Sequence, residues 1–298
     1  MPEAAHNPNR TADLLLTALA PMIWGSSYIV ASQLLPDFSP LTVAMLRALP
    51  AGLLLLLLSR QLPQGLWWAR ILLLGALNFS IFWSLLFVSA YRLPGGVAAT
   101  VGALQPLLVV LLAAPLLGQP LRLRSLLAAV GGLTGVALLV LKADARLDPL
   151  GLLAGLGAAA SMALGTVLSR RWQPPVPLLS FTAWQLTAGG LLLVPIVWLF
   201  APTTPALTTS SLLGLGWLCL IGAALSYLLF LRGLARIDTA IVASLGFLSP
   251  ITAVILGWLL LGERLSPWQM TGAVLVLLSI GWGQRSVSAH RKAAPIER

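Results

Sequence analysis

The chain has 298 residues, 58% of them hydrophobic and only 9% charged, with a mean hydropathy of +0.94 and a formal net charge of +10. Soluble domains carry about 25% charged residues, so this composition cannot cover a water-facing surface and excludes a soluble enzyme or binding module. Cys219 is the only cysteine, which leaves no internal disulfide and no cysteine-based metal site.

Apolar runs long enough to cross a hydrocarbon core of about 30 Å recur almost end to end. They predict ten spans, at roughly 13–32, 41–59, 68–90, 95–117, 124–142, 149–168, 180–200, 210–232, 239–261 and 267–285. Lipid leaves no water for backbone amides, so the spans must be helices. A barrel would need period-two alternation, which runs such as Leu53 to Leu58 lack.

In chain order, the first span holds Asp13 at its start and Trp24, Ser27 and Tyr28 further in. Its Val30-Ala31-Ser32 imitates a cleavage site, but the weak charged region and nine later spans make it a retained first helix. The second span holds Arg47, the only charge inside a span, roughly 9 Å inward from its start at ~1.5 Å per residue. Outward snorkelling is the reading preferred for it over carboxylate binding. Asn78, Trp83 and Ser84 lie in the third span, and Gln105 precedes a mid-span Pro106 in the fourth. Gly131, Gly132 and Gly135 in the fifth span, with Gly151, Gly155 and Gly157 in the sixth, permit close helix packing within a monomer. The eighth span carries Ser226 and Tyr227, and the ninth carries Ser244, Ser249 and Pro250.

The two halves repeat each other. At one ungapped offset of 144, Arg92 falls on Arg236, Gly102 on Gly246, Pro106 on Pro250, Gly118 on Gly262 and Trp83 on Tyr227. At an offset of 138, Arg47 to Gly52 falls on Gln185 to Gly190. Five spans per repeat force the second copy to insert upside down. The expected fold is therefore all-α, with ten transmembrane helices in two inverted five-helix repeats around a central cavity. The repeats run over residues 13–142 and 149–285, between cytoplasmic tails at 1–12 and 286–298. A duplicated domain with paired helix breaks near mid-bilayer is a mark of secondary transporters.

Charge placement sets the orientation. With the N-terminus inside, 13 of the 18 basic residues fall on inner segments, and four (Arg92, Lys142, Arg146 and Arg264) on outer loops. That is the positive-inside bias, so both termini are expected in the cytoplasm and nucleic acid is not a partner. The acids and both histidines lie in tails, loops or span ends, so no mid-membrane proton relay exists and facilitative transport is preferred. HExxH, GxSxG and paired intramembrane Asp are missing, which argues against an enzyme, and no metal site or cofactor is expected.

Polar and aromatic residues deep in the spans are the candidates for a substrate site: Trp24, Tyr28, Asn78, Trp83, Gln105, Tyr227 and Ser244. For each Ser or Thr, a bond to its own helix competes with substrate contact. Pro106 and Pro250 are the expected hinges. Each removes an amide donor and displaces the carbonyl four residues earlier, near Gly102 and Gly246, offering acceptors for an ammonium group.

These residues resemble the ten-helix EamA-type branch of the drug/metabolite transporter superfamily. The resemblance runs from Trp24-Gly25 to about Gly283, and Gly262-Glu263-Arg264-Leu265 looks like that family's "GE" signature. Gln119 replaces the acid in the first half. Within the superfamily the chain looks most like the YddG-type amino-acid exporters of bacterial inner membranes. That similarity implies an inverted-repeat carrier exporting aromatic and other neutral amino acids. Another amphipathic metabolite or drug as cargo, or a non-transporting membrane scaffold, is the alternative.

Overall fold

The computed structural model describes residues 10–92, 101–140, 148–201, 203, 205–262 and 266–293; the "GE" signature beyond Gly262 lies outside them. All regular elements among these residues are helical. The first half comprises α1 (Arg10–Leu34), α2 (Pro40–Ser59), α3 (Trp67–Gly75), a π-helical turn (Ala76–Ser80), α4 (Ile81–Arg92), α5 (Gln105–Leu117) and α6 (Leu123–Val140). The second comprises α7 (Pro149–Arg171), α8 (Leu178–Phe200), α9 (Thr209–Gly216), a second π-helical segment (Trp217–Leu225), α10 (Ser226–Arg236), α11 (Thr239–Leu245), α12 (Leu248–Leu261) and α13 (Pro267–Ala293). Seven helical runs are long and apolar enough to cross a membrane. The shorter apolar helices Gln105–Leu117, Leu123–Leu138 and Pro267–Ile280 bring the described number to the expected ten.

The packing pattern is that of an inverted repeat. The two most extensive helix pairs, α2 with α8 and α6 with α13, each join an element to its own repeat equivalent. The contact of α4 with α7 is echoed by α10 with α1, and that of α5 with α7 by α12 with α1. At the α2–α8 crossing the symmetry reaches single atoms. A Cβ on Gly52 would stand 2.4 Å from the Thr187 nitrogen, and one on Gly190 would stand 2.6 Å from the Leu49 Cα. Gly52 is the repeat equivalent of Gly190, and Leu49 of Thr187. Each helix therefore presents the same notch to the other. Where lipid provides no hydrophobic drive, such backbone approach is how helices associate.

Ion pairs mark the two ends of the bundle. At the end where α1 begins, Asp13 is only 1% exposed and sits 2.6 Å from Arg232 and 3.4 Å from Arg236 of α10. At the opposite end Arg92, the last residue of α4, lies 3.5 Å from Asp148, which precedes α7. Asp148 also caps α7 by accepting a hydrogen bond from the Gly151 amide at 2.8 Å. That bond, opposed by partial desolvation and aided by the Arg92 charge, holds its carboxyl below the usual carboxylate range.

The helix breaks lie just ahead of the two prolines, the second of them at the expected Gly246, so the prolines themselves stand outside the breaks. Turns at 103–104 and 246–247 interrupt the fourth and ninth spans, so Pro106 and Pro250 fall in the first turn of α5 and α12. A missing N–H there opens no gap in the helix ladder, because first-turn amides lack intrahelical acceptors anyway. The Gly246 carbonyl is not left open; it accepts from the Ser249 amide at 3.1 Å. Gly102 has nothing within 4 Å of where a Cβ would stand. Both helices end alike, at Gly118 (φ 65°) and Gly262 (φ 67°), in the left-handed conformation that favours glycine.

The notch at α2–α8 makes a prediction. Gly52→Val forces backbone apart and should cost about 1–3 kcal/mol or more, whereas Gly216→Ala, with nothing within 4 Å, should be neutral. Thermal unfolding of the two variants in detergent checks this; equal midpoints would refute the notch.

Candidate functional site

The third and eighth spans are the only described helical runs that pass through π-helical turns, and these turns occupy equivalent positions in the two repeats. A π turn widens the helix and redirects its carbonyls, and such turns are frequent at functional sites. Each is anchored by a polar side chain from the α2–α8 pair. From α8, Gln185 accepts a hydrogen bond from the Asn78 amide at 2.8 Å, in the first π turn. From α2, the Arg47 guanidinium donates to the Gly222 carbonyl at 2.6 Å, in the second. Arg47 and Gln185 are equivalent at an offset of 138, and Asn78 and Gly222 at 144. These are therefore two versions of one contact, one neutral and one charged.

This placement overturns the snorkelling expected of Arg47. Its side chain points into the bundle, with the guanidinium carbon 4.9 Å from the centre of the Trp83 ring. The Gly222 carbonyl also accepts from the Ser226 hydroxyl at 2.8 Å, and that hydroxyl accepts from Trp24 Nε1 at 2.9 Å. One bonded chain thus links α1, α10, the second π segment and α2. An arginine at mid-helix costs roughly 2.5–3.5 kcal/mol to insert, and the carbonyl and ring offset part of that.

Around this chain the aromatic residues converge. Tyr227 is 4% exposed and lies 5.0 Å from the Trp24 ring, 4.6 Å from Phe79, 6.4 Å from Trp83 and 6.4 Å from Phe230, centre to centre. Phe79 and Trp83 meet edge to face at 5.2 Å, as i and i+4 residues on one helical face should. Both halves contribute: Trp83 and Tyr227 are repeat equivalents facing each other.

Of the seven residues singled out in the sequence, the structure therefore brings Trp24, Trp83 and Tyr227 together. Asn78 lies in a separate buried knot, where its amide also donates to the Ser169 hydroxyl at 3.1 Å. Ser244 spends its hydroxyl on the Ile241 carbonyl of its own helix, at 2.8 Å. Gln105 opens α5 beside the fourth-span break, and the side chain of Tyr28 lies outside the described residues. The competing own-helix bond is absent at Ser27, Ser84 and Thr166, whose buried hydroxyls have no hydrogen-bond partner. Phe79, Phe230, Ser169 and Gln185 were missed, and Arg47 was weighed but expected to snorkel outward. For Gln185 a signal existed, since it stands opposite Arg47 in the repeat alignment.

At the Asp13 end, a cleft of about 80 Å³ opens between α5, α6 and α11, lined by Gln119, Arg122, Ser125 and Asp238 among apolar neighbours.

A helical bundle of inverted repeats with helices long and apolar enough to cross a membrane fits the class of membrane transporters. The chain belongs to the EamA-like transporter family, which matches it twice, at residues 11–141 and 149–282. It is 42% identical to protein PecM of Dickeya dadantii over 283 residues, covering 94% of this chain and 95% of that protein. It is 28% identical to the inner membrane transporter YedA of Escherichia coli K12, over 87% of this chain and 88% of YedA. A crystal structure that is 21% identical in sequence superposes with a TM-score of 0.81 over 96% of this chain and 100% of that one, which shows the fold.

The Asn78–Gln185 pair can be tested by a double-mutant cycle with Asn78→Ala and Gln185→Ala. Side-chain hydrogen bonds within membranes couple by about 0.6–1.7 kcal/mol, and a value in that range is expected here. Additive losses of thermal stability would show that the two amides do not hold each other.

Proposed function

We propose that the chain exports amino acids, aromatic and other neutral ones with broad selectivity, across a bacterial inner membrane by alternating access. The observation that carries this reading is the cluster of Trp24, Phe79, Trp83, Tyr227 and Phe230, drawn from both repeats and edged by polar groups. In a carrier, the ring of a cargo takes the place of ring–ring contacts such as that between Trp83 and Tyr227. The cargo is thereby held where the two halves meet.

The ion pairs support the alternating movement. Arg92 and Arg236 are repeat equivalents at opposite ends, and each reaches the acid at the start of the neighbouring helix, Asp148 or Asp13. The Asp13 carboxylate is buried between Arg232 and Arg236, whose side chains are 26% and 53% exposed, whereas the Asp148 carboxylate is 36% exposed beside Arg92 at 48%. The carboxylate at one end is shut away from solvent and the one at the other end is not, which fits a carrier in one of its two states. The basic bias supports a cytoplasmic Asp13 end with both tails on that side, and the similarity to YedA, an inner membrane transporter, supports an inner membrane. With no acid or histidine mid-span, movement runs downhill without an imposed proton gradient.

A radiolabelled panel in proteoliposomes tests this: aromatic and neutral amino acids against cationic drugs and sugar nucleotides. Saturable amino-acid counterflow at equal pH on both sides is expected. Transport of another panel member alone would replace the cargo, and an absolute need for a proton gradient would refute the downhill mechanism.

A further inference from the structure

We infer that Arg47 is the carboxylate anchor of the cargo site, so that the site selects compounds carrying a carboxylate beside a planar apolar ring. This rests on the reading of the aromatic cluster as the place where cargo binds. The inverted repeat supplies an internal control for what Arg47 is needed for. At the equivalent position, Gln185 anchors the first π turn through a neutral hydrogen bond, buried and 1% exposed. An uncharged amide is thus sufficient to tie a π turn to the α2–α8 axis. The first repeat uses an arginine for the same tie, against the cost of a charge within the span.

The surroundings of the two side chains separate their roles. Gln185 lies in a knot with Asn78 and Ser169. Arg47 instead lies over Trp83, whose ring meets Phe79 edge to face and whose repeat equivalent, Tyr227, stands 6.4 Å away. A guanidinium is planar, stays charged and presents several donors in a fork that matches a carboxylate, while stacking on an aromatic face. With its guanidinium carbon over Trp83 and a donor on Gly222, Arg47 is oriented beside the rings, where the acid group of an aromatic cargo would sit. The chain Arg47–Gly222–Ser226–Trp24 holds that orientation from three helices.

The test uses the full-length protein and three probes of one ring: L-phenylalanine, phenethylamine, which lacks the carboxylate, and 3-phenylpropionate, which lacks the ammonium. Equilibrium binding is measured for wild type, Arg47→Gln and Arg47→Lys. Arg47→Gln installs the residue that the second repeat already tolerates, and thermal unfolding confirms that it folds. Wild type should bind the two carboxylates and discriminate against the amine. Arg47→Gln should lose at least tenfold in affinity for the carboxylates with little change for the amine, and Arg47→Lys should retain part of the preference. Unchanged carboxylate affinity in a folded Arg47→Gln would overturn the inference, as would an equal loss for all three probes, which marks a purely structural role. If wild type binds 3-phenylpropionate through Arg47 but neither binds nor moves phenylalanine, the anchor stands and the amino-acid reading falls. Should phenylalanine be transported with no dependence on Arg47, the anchor falls alone.

Discussion

A hydrocarbon interior offers no hydrogen bonds, so each departure from a regular helix within it must be answered by another part of the protein. This chain departs from regularity at paired places: π turns in the third and eighth spans and breaks in the fourth and ninth. The breaks are closed locally, by short-range bonds such as Ser249 N–H to Gly246. The π turns are answered from a distance, by Gln185 and Arg47. Those two residues sit on the helix pair that carries the pseudo-twofold axis, two residues from Thr187 and Leu49, where Gly190 and Gly52 let the backbones touch. The axis is therefore both the most extensive helix contact among the described residues and the place from which the π turns are held.

That arrangement connects packing with transport. Two elements that meet by reciprocal glycine notches can rock about their contact with little change in the atoms they share. The ends of the bundle, tied by ion pairs in place of backbone contact, are where the geometry can change. The aromatic cluster lies between these regions, and its members come from α1, the third span and α10. Those are the elements whose ends carry the Asp13 and Arg92–Asp148 pairs.

Much of this was legible in the chain itself. Ten spans, the duplication and the match of Trp83 to Tyr227 follow from apolar length and a constant offset, both of which lipid enforces strongly. The offset also paired Arg47 with Gln185, but a one-dimensional alignment does not say which face a side chain takes. Arg47 was placed outward because a lone charge is cheapest at the interface; the Gly222 carbonyl turned toward it by a π turn has no signature in sequence. The prolines misled for a related reason. Mid-run proline reads as a kink at its own position, whereas here the chain breaks first and uses the proline to start the next helix. Phe79 and Phe230 carried no signal beyond being aromatic in apolar spans, where core packing is the commoner role.

Distances between spin labels at the two ends test the central claim, that the halves rock in opposite senses about the α2–α8 axis, most directly. Exposed positions Ala12 and Ala235 report on the Asp13 end, and Val88 and Leu150 on the Asp148 end, without touching either ion pair. Pulsed electron resonance should show one distance lengthening while the other shortens when a transported substrate is added. Two distances that move together, or do not move while transport proceeds, would contradict the account.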